Sequence, residues 1–264
     1  MTYSPQIKSA EWHEKRRATL GGSDAVTVCN GSAEDRLKLW QVKTGAAQPD
    51  DLSDVFPVHL GTVTEDLNLW WFAKQTGLEL RDEQRVFAQG FRSCTVDGMV
   101  TVNGVDAVVE AKHIGERFSM QDAINRYQPQ LHHNMIVTGT KRAFLAVIRG
   151  NIWDYAEIEL DADYAQKVLL AEADFWECVT MKMPPGDAPV KLEAPPPTRV
   201  VDMTGNNAWA DAAAEWLATK PIAKRFDTAA ATLRSLIDAD VKAATGHGLS
   251  ASRNKRGAIL IKEI

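Results

Sequence analysis

Asn103-Gly104 constrains this chain more than any other pair of residues, because it is the strongest short-range signal for a two-residue β-hairpin. Both central positions of a type I′ turn need φ > 0, and the β-branched stretches TVDGMVTV and VDAVVEAK stand on either side, so residues 95–112 read as two antiparallel strands. Pairing Val102 with Val105 and counting outward sets Asp97 opposite Glu110, with Cβ atoms roughly 5 Å apart. The pleat sends Glu110 and Lys112 to one face and Ala107, Val109 and Ala111 to the other. Two carboxylates that close repel each other unless a cation lies between them or one keeps its proton. A hard divalent ion such as Mg²⁺ takes one or two carboxylates and completes its octahedron with water and substrate phosphate. An amine alongside can position or deprotonate the attacking water. Asp97, Glu110 and Lys112 therefore point to metal-dependent phosphodiester hydrolysis; the bland alternative is a solvated cross-strand salt bridge.

At 264 residues the chain can bury one substantial core and a small second unit. No apolar run approaches the roughly 18 residues of a membrane span, and MTYSPQIKSAEWHEK lacks a signal-peptide core, so the expected location is the cytoplasm. Cys29, Cys94 and Cys178 are scattered without C-x-x-C spacing, which argues against a disulfide framework, a zinc knuckle or an iron–sulfur cluster and predicts buried thiols. Net charge is −5, yet residues 199–264 hold ten Lys and Arg against seven Asp and Glu. Any nucleic-acid contact is then a lined groove rather than a basic exterior.

Before the hairpin, residues 8–20 read as a short helix with Trp12 on its apolar side and Lys15, Arg16 and Arg17 at its end. Gly21-Gly22 permits close backbone approach, and Ser23 or Asp24 can cap the next helix, or join an arginine around one phosphate. A helix over 33–44 turns Leu37 and Trp40 inward, and a loop covers 45–56. The helix 61–77 packs Leu67, Trp70 and Trp71 inward, and Thr62-x-x-Glu65 matches a capping box at its start. Glu65 becomes a third acid at the metal only if that end abuts the hairpin. Residues 85–92 read as one strand leading into it.

After the hairpin, Pro129 confines the next helix to about Tyr127–Gly139, with Gln130 in its first turn and His132 and His133 at a surface or an interface. Residues 141–150 and 151–160 are strands, and Asp161 caps a helix to about Met183 that packs Leu169, Leu170 and Trp176 on the sheet. The order of elements describes an α/β or α+β fold with a central mixed sheet flanked by helices. Three segments result: a core over 1–183, a proline-rich linker over 184–199, and a helical, net-basic appendage over 200–264. In the last, helices at 207–219 and about 223–244 precede a basic turn at Lys255-Arg256-Gly257.

EWHEKRRATLGGSDA, HLGTVTEDLNLW, TVDGMV followed by VVEAK, and YQPQLHHNMIVTG resemble, in that order, the motifs of the phage lambda exonuclease or YqaJ-like recombinase branch of the PD-(D/E)XK nucleases. Val96 stands where the family usually has the proline of its PD motif. The resemblance implies a restriction-endonuclease-like core and a Mg²⁺-dependent 5′-to-3′ exonuclease. It would act on double-stranded DNA ends and leave a 3′ single strand for an annealing protein. It also implies a homotrimeric ring, in the cytoplasm of a bacterial host of the phage or prophage. Two metal ions per site, with Mn²⁺ able to substitute, would be held by Asp97, Glu110, the Ala111 carbonyl and Glu65. Lys112 would activate or orient the water, Gln130 would steady the site, and Arg16, Ser23 and Thr95 would grip the terminal 5′-phosphate. A structure-specific or restriction-type endonuclease, or a non-catalytic DNA-end-binding protein, are the alternatives.

Overall fold

A computed structural model describes residues 10–52, 54–187, 192–193, 195, 203–254 and 257–264, with side chains from residue 14 onward. The Trp12 side chain, the Lys255-Arg256 turn and much of the proline-rich segment lie outside the described residues. Two compact units divide the chain, Met1–Pro196 and Pro197–Ile264.

The first unit runs α1 (Ala10–Arg17), β1 (Leu20–Gly21), α2 (Gly22–Asn30), α3 (Ala33–Thr44), α4 (Phe56–Thr76), β2 (Val86–Gln89), β3 (Arg92–Thr95), β4 (Gly98–Val102), β5 (Val105–Ile114), α5 (Met120–Thr138), β6 (Arg142–Arg149), β7 (Ile152–Glu159) and α6 (Ala162–Thr180). Its central sheet has the order β4-β5-β6-β7, parallel at β5–β6 and antiparallel elsewhere. The hairpin forms in the expected register, Val102 facing Val105, with Asn103 at φ 52° and Gly104 at φ 79°. The crossover α5 covers one face of β5, where Val108 packs with Leu131 and Met135. The other face meets α4, where Ala107, Val109 and Ala111 pack with Leu69 and Phe72. A strand covered on both sides this way carries apolar residues on both, so a carboxylate within it needs dedicated partners.

Several expectations are corrected. Residues 85–92 are not one strand: β2 and β3 form their own hairpin around Gly90 (φ 61°) in a separate sheet of order β1-β3-β2. The Val96 N–H donates to the Arg85 carbonyl at 3.1 Å, holding the chain in that sheet, and β4 starts only at Gly98. Asp97 therefore sits in the bend between two sheets rather than inside a strand. Helix α5 starts ahead of Pro129, where Ser119 and Asp122 cap each other's backbone N–H groups, and continues past it. An interior proline costs about 3 kcal/mol. Burial of Leu131, Met135 and Val137 in the second half, at about 1.5–3 kcal/mol for a large apolar side chain, outweighs it.

Helix α4 begins at Phe56, inside the expected loop, so Thr62 and Glu65 are mid-helix and no capping box forms there. It buries Asn68, Leu69 and Phe72, leaving Leu67 and Trp70 exposed, with the Lys74 ammonium 5.0 Å from the Trp70 ring centre. On α3 the buried residues are Arg36 and Lys43, while Leu37 is exposed. Helix α6 packs Tyr164, Val168, Phe175 and Val179 against α2 and β1 rather than on the central sheet, and Leu170 is exposed. Cys29 and Cys94 are buried, their thiols pushed up to about 12 chiefly by burial; Cys178 is half-buried.

The second unit has one helix and three strands rather than two helices. One helix, α7 (Asn207–Ser235), continues through Pro221, and β8 (Ala243–Gly246), β9 (Leu249–Arg253) and β10 (Ile259–Glu263) form an antiparallel sheet of order β10-β9-β8. Alanine content favours helix to residue 244, but the tight turn at His247 (φ 50°) and Gly248 (φ 77°) pairs Ala243 and Ala244 with β9 instead. Among the described residues no helix is long and apolar enough to cross a membrane.

Candidate active site

Glu110 is the centre of the site: a carboxylate 2% exposed in the middle of β5, between two layers of helix. Such a group is tolerable only if its oxygens are satisfied. Its Oε1 accepts from Lys112 Nζ at 2.5 Å and from Gln130 Nε2 at 2.6 Å, and its Oε2 accepts from Asn134 Nδ2 at 2.9 Å. Gln130 and Asn134 are one turn apart on α5 and so reach the same carboxylate. Asp97 folds back across the hairpin, its Oδ2 accepting the Ala111 N–H at 2.8 Å. This bond supplies what the strand cannot at a bend, and it aims the Ala111 peptide unit. Lys112, partly exposed, lies with Nζ 5.2 Å from the Tyr127 ring centre. Its backbone is tied to α4: Asn68 Nδ2 donates to the carbonyls of Lys112 (3.2 Å) and Ala146 (3.0 Å), and Trp153 Nε1 donates to Asn68 Oδ1 at 2.7 Å.

The electrostatics follow from three acids around one amine. Burial, and then the Glu110 charge, hold the Asp97 carboxyl well above the usual carboxylate range, with Lys112 opposing. Glu65, on α4, is also raised, first by burial, with Glu110 adding and Lys112 opposing; its Oε1 accepts from Gln84 Nε2 at 2.7 Å. Burial by itself would lower Lys112, but the Glu110 and Asp97 carboxylates outweigh it and keep the ammonium above its ordinary range. Among the described residues no three His, Cys, Asp or Glu side chains gather at one point. Glu65 is thus within electrostatic range of the pair without joining it.

A divalent cation fits this donor set. Mg²⁺ needs only one or two protein carboxylates, the donors are all hard oxygens, and after burial the Glu110 charge is the next cause that raises Asp97. The sign of the pH effect can be worked out. A folded-state Asp97 value above 3.8 means that the folded chain keeps a proton the unfolded chain releases, so this group makes stability fall as pH rises from about that value. In a chelator, Asp97→Asn is expected to gain stability relative to the parent as pH rises from about 4 to 8, in thermal denaturation, and added Mg²⁺ to narrow the gap. A gap independent of pH would contradict the assignment.

A second cluster lies beside the first. The Gly21 N–H donates to Asp24 Oδ2 at 2.8 Å, which makes Asp24, not Ser23, the group that closes the start of α2. Arg16 Nη2 donates to Ser23 Oγ at 2.5 Å and lies 3.6 Å from Asp24 Oδ1. The buried Lys43 ammonium ties the cluster from below, reaching Asp24 Oδ2 at 2.6 Å and the carbonyls of Arg16 and Thr19 at 2.7 Å each. Gly22 then packs directly on α5: a Cβ there would lie 2.3 Å from Asn134 Oδ1 and 3.3 Å from Gln130 Cγ. The Arg16–Ser23 cluster and the Glu110 cluster therefore share a wall. Thr95 is exposed on β3 and pairs with Val86, two residues past Ser93, which pairs with Gly21.

His132 and His133 are fully buried, which corrects their expected place at a surface. His132 Nε2 accepts the Asp161 N–H at 3.2 Å, and His133 bridges Glu172 Oε1 (2.7 Å) and the Ser93 carbonyl (3.0 Å). The sequence reading missed Asn134 and Asn68. The i+4 spacing from Gln130 could have found the first; Asn68 carried no such signal.

The mixed α/β unit is the fold of the alkaline exonucleases. The crystal structure of the alkaline exonuclease LHK-Exo from Laribacter hongkongensis superposes with a TM-score of 0.54 at 15% identity, over 66% of this chain and 94% of that one. LHK-Exo in complex with dAMP gives 0.53 at 14% identity, over 66% of this chain and 94% of that one. Residues 11–141 match the model of the YqaJ-like viral recombinase domain family. The uncharacterized protein YqaJ of Bacillus subtilis (strain 168) is 28% identical over 182 residues, 65% of this chain. That match spans 56% of the relative's own length.

Proposed function

We propose that this chain is a Mg²⁺-dependent exonuclease that hydrolyses one strand of linear double-stranded DNA from its 5′ end. A 3′ single strand is left for an annealing protein. The observation that carries the reading is the buried Glu110 carboxylate, gripped by Lys112, Gln130 and Asn134 at the level of Asp97 on one hairpin. The likeness to alkaline exonucleases, one of them solved with dAMP, supports the substrate class.

When bound, divalent ions would offset the charge that builds on the entering and leaving oxygens of a phosphodiester. Asp97, Glu110 and the Ala111 carbonyl are the groups to hold them, with Glu65 near enough to act on them electrostatically. Lys112 carries a proton in this setting, so its part is to orient the attacking water and to offset charge on the phosphoryl oxygens. Gln130 and Asn134 keep the Glu110 carboxylate from rotating. Arg16 and Ser23 bind the terminal 5′-phosphate, which sets how much of the strand lies over the acids and lets a sequence-blind enzyme stay in register. A trimeric ring, an annealing partner and residence in the cytoplasm of a phage-bearing bacterial cell complete the reading and rest on family likeness.

Linear duplex labelled at the 5′ or the 3′ terminus, with and without Mg²⁺, tests it. Label should leave the 5′ terminus first and only with the ion, while covalently closed circular DNA stays intact. Nicking of the circle would favour an endonuclease, and no ion-dependent release at all would favour an end-binding protein. Arg16→Ala is expected to slow digestion of 5′-phosphorylated ends about tenfold or more, the size of a lost charge-assisted hydrogen bond. Unphosphorylated ends should change by less than about twofold, and equal losses on both would contradict the role.

A further inference from the structure

We propose that Asn134 is a positioning residue for Glu110, and that the first turn of α2 holds Asn134 in place through Gly22. One contact then sets both the end-phosphate cluster and the acid pair. The inference rests on the proposed roles of Arg16 and Ser23, and it adds a coupling between that cluster and the acids.

The argument is one of acceptor directions. A carboxylate oxygen offers about two. Glu110 Oε1 has both engaged, by Lys112 Nζ at 2.5 Å and Gln130 Nε2 at 2.6 Å. Oε2 receives Asn134 Nδ2 at 2.9 Å and keeps one direction, the one left for a cation. Asn134, 1% exposed, therefore decides where that remaining lone pair points. Its amide cannot be turned round, since Oδ1 against the carboxylate would be repulsive.

The other end of the amide is the informative one. Asn134 Oδ1 is buried and has no hydrogen-bond partner among the described residues. An orphaned buried acceptor is unfavourable, a cost that an apolar residue of similar size would avoid. What it faces is Gly22, where an added Cβ would lie 2.3 Å away. Gly22 is followed directly by Ser23, and Gly21 before it is tied to Asp24, beside Arg16. A phosphate drawing Arg16 and Ser23 together would steady the turn that presses on Asn134. By reciprocity, a cation held at Oε2 would favour the same turn position.

The test uses the full chain, Mn²⁺ as the ion, and a cleavage-resistant phosphorothioate duplex ending in either a 5′-phosphate or a 5′-hydroxyl. Mn²⁺ affinity is read by electron paramagnetic resonance. In the parent the 5′-phosphate should tighten Mn²⁺ about fivefold or more relative to the 5′-hydroxyl. In Asn134→Ala, and independently in Gly22→Ala, which leaves the amide present but displaced, the enhancement should fall below about twofold although ion and duplex each still bind. On cleavable duplex, the 5′-phosphate should then improve KM but no longer kcat in both variants. Undiminished enhancement in either variant, shown to be folded by its denaturation profile, overturns the coupling alone. Equal Mn²⁺ affinity with both ends in the parent also overturns the coupling, and duplex affinity that is the same for both ends and unchanged by Arg16→Ala overturns the end-phosphate cluster as well.

Discussion

Lys112→Ala is expected to lower single-turnover cleavage of linear duplex about 10²- to 10³-fold, the range for losing one preorganised donor to developing charge. Affinity for the same duplex should stay within about threefold, because one part-exposed amine is a small share of a phosphate-backbone interface. The amine's loss has a second consequence. Asp97 and Glu110 lose the cation set against them, so their hold on a divalent ion should not weaken. A variant that binds ion and DNA yet does not cut separates chemistry from binding. Parallel loss of cleavage and ion affinity would mean that Lys112 shapes the acid pair instead of serving the reaction.

The largest stability effect should come from a residue outside the site. Glu172 on α6 is fully buried and accepts from Arg92 Nε at 2.5 Å and from His133 Nδ1 at 2.7 Å. Removing it by Glu172→Ala takes the carboxylate away from both the Arg92 guanidinium and His133 Nδ1. Breaking a buried pair from one side costs about 3–5 kcal/mol. For a chain of this size that is a fall in Tm of roughly 6–20 °C. Urea denaturation should report the loss, and a change under about 1 kcal/mol would show that Arg92 finds another acceptor. Glu172→Gln, which keeps an acceptor for Arg92, should lose less.

What could be read from the sequence was local. The Asn103-Gly104 turn fixes its own register, so the level of Asp97 with Glu110, and the sharing of a face by Glu110 and Lys112, followed by counting. That Asp97 lies in a bend did not, because the bend is made by the Val96 bond to Arg85 in another sheet. Tryptophan bulk suggested that Trp70 faces the core. The face of α4 is instead set by Asn68, whose partners are strand carbonyls more than forty residues away in sequence. His132 and His133 were expected at a surface for a similar reason: a buried imidazole is betrayed only by distant acceptors such as Glu172 and Ser93. Pro129 misled because local propensity was weighed without the burial that follows it.

The central claim is that one β-ribbon makes Asp97 and Glu110 a divalent-ion site with Lys112 alongside. Crystals of the chain grown with Mn²⁺ and measured at the manganese absorption edge test it most directly. An anomalous peak between the Asp97 and Glu110 carboxylates and the Ala111 carbonyl, absent in Asp97→Asn, is the predicted result. Saturating Mn²⁺ with no peak there, or a peak elsewhere that Asp97→Asn leaves unchanged, would contradict it.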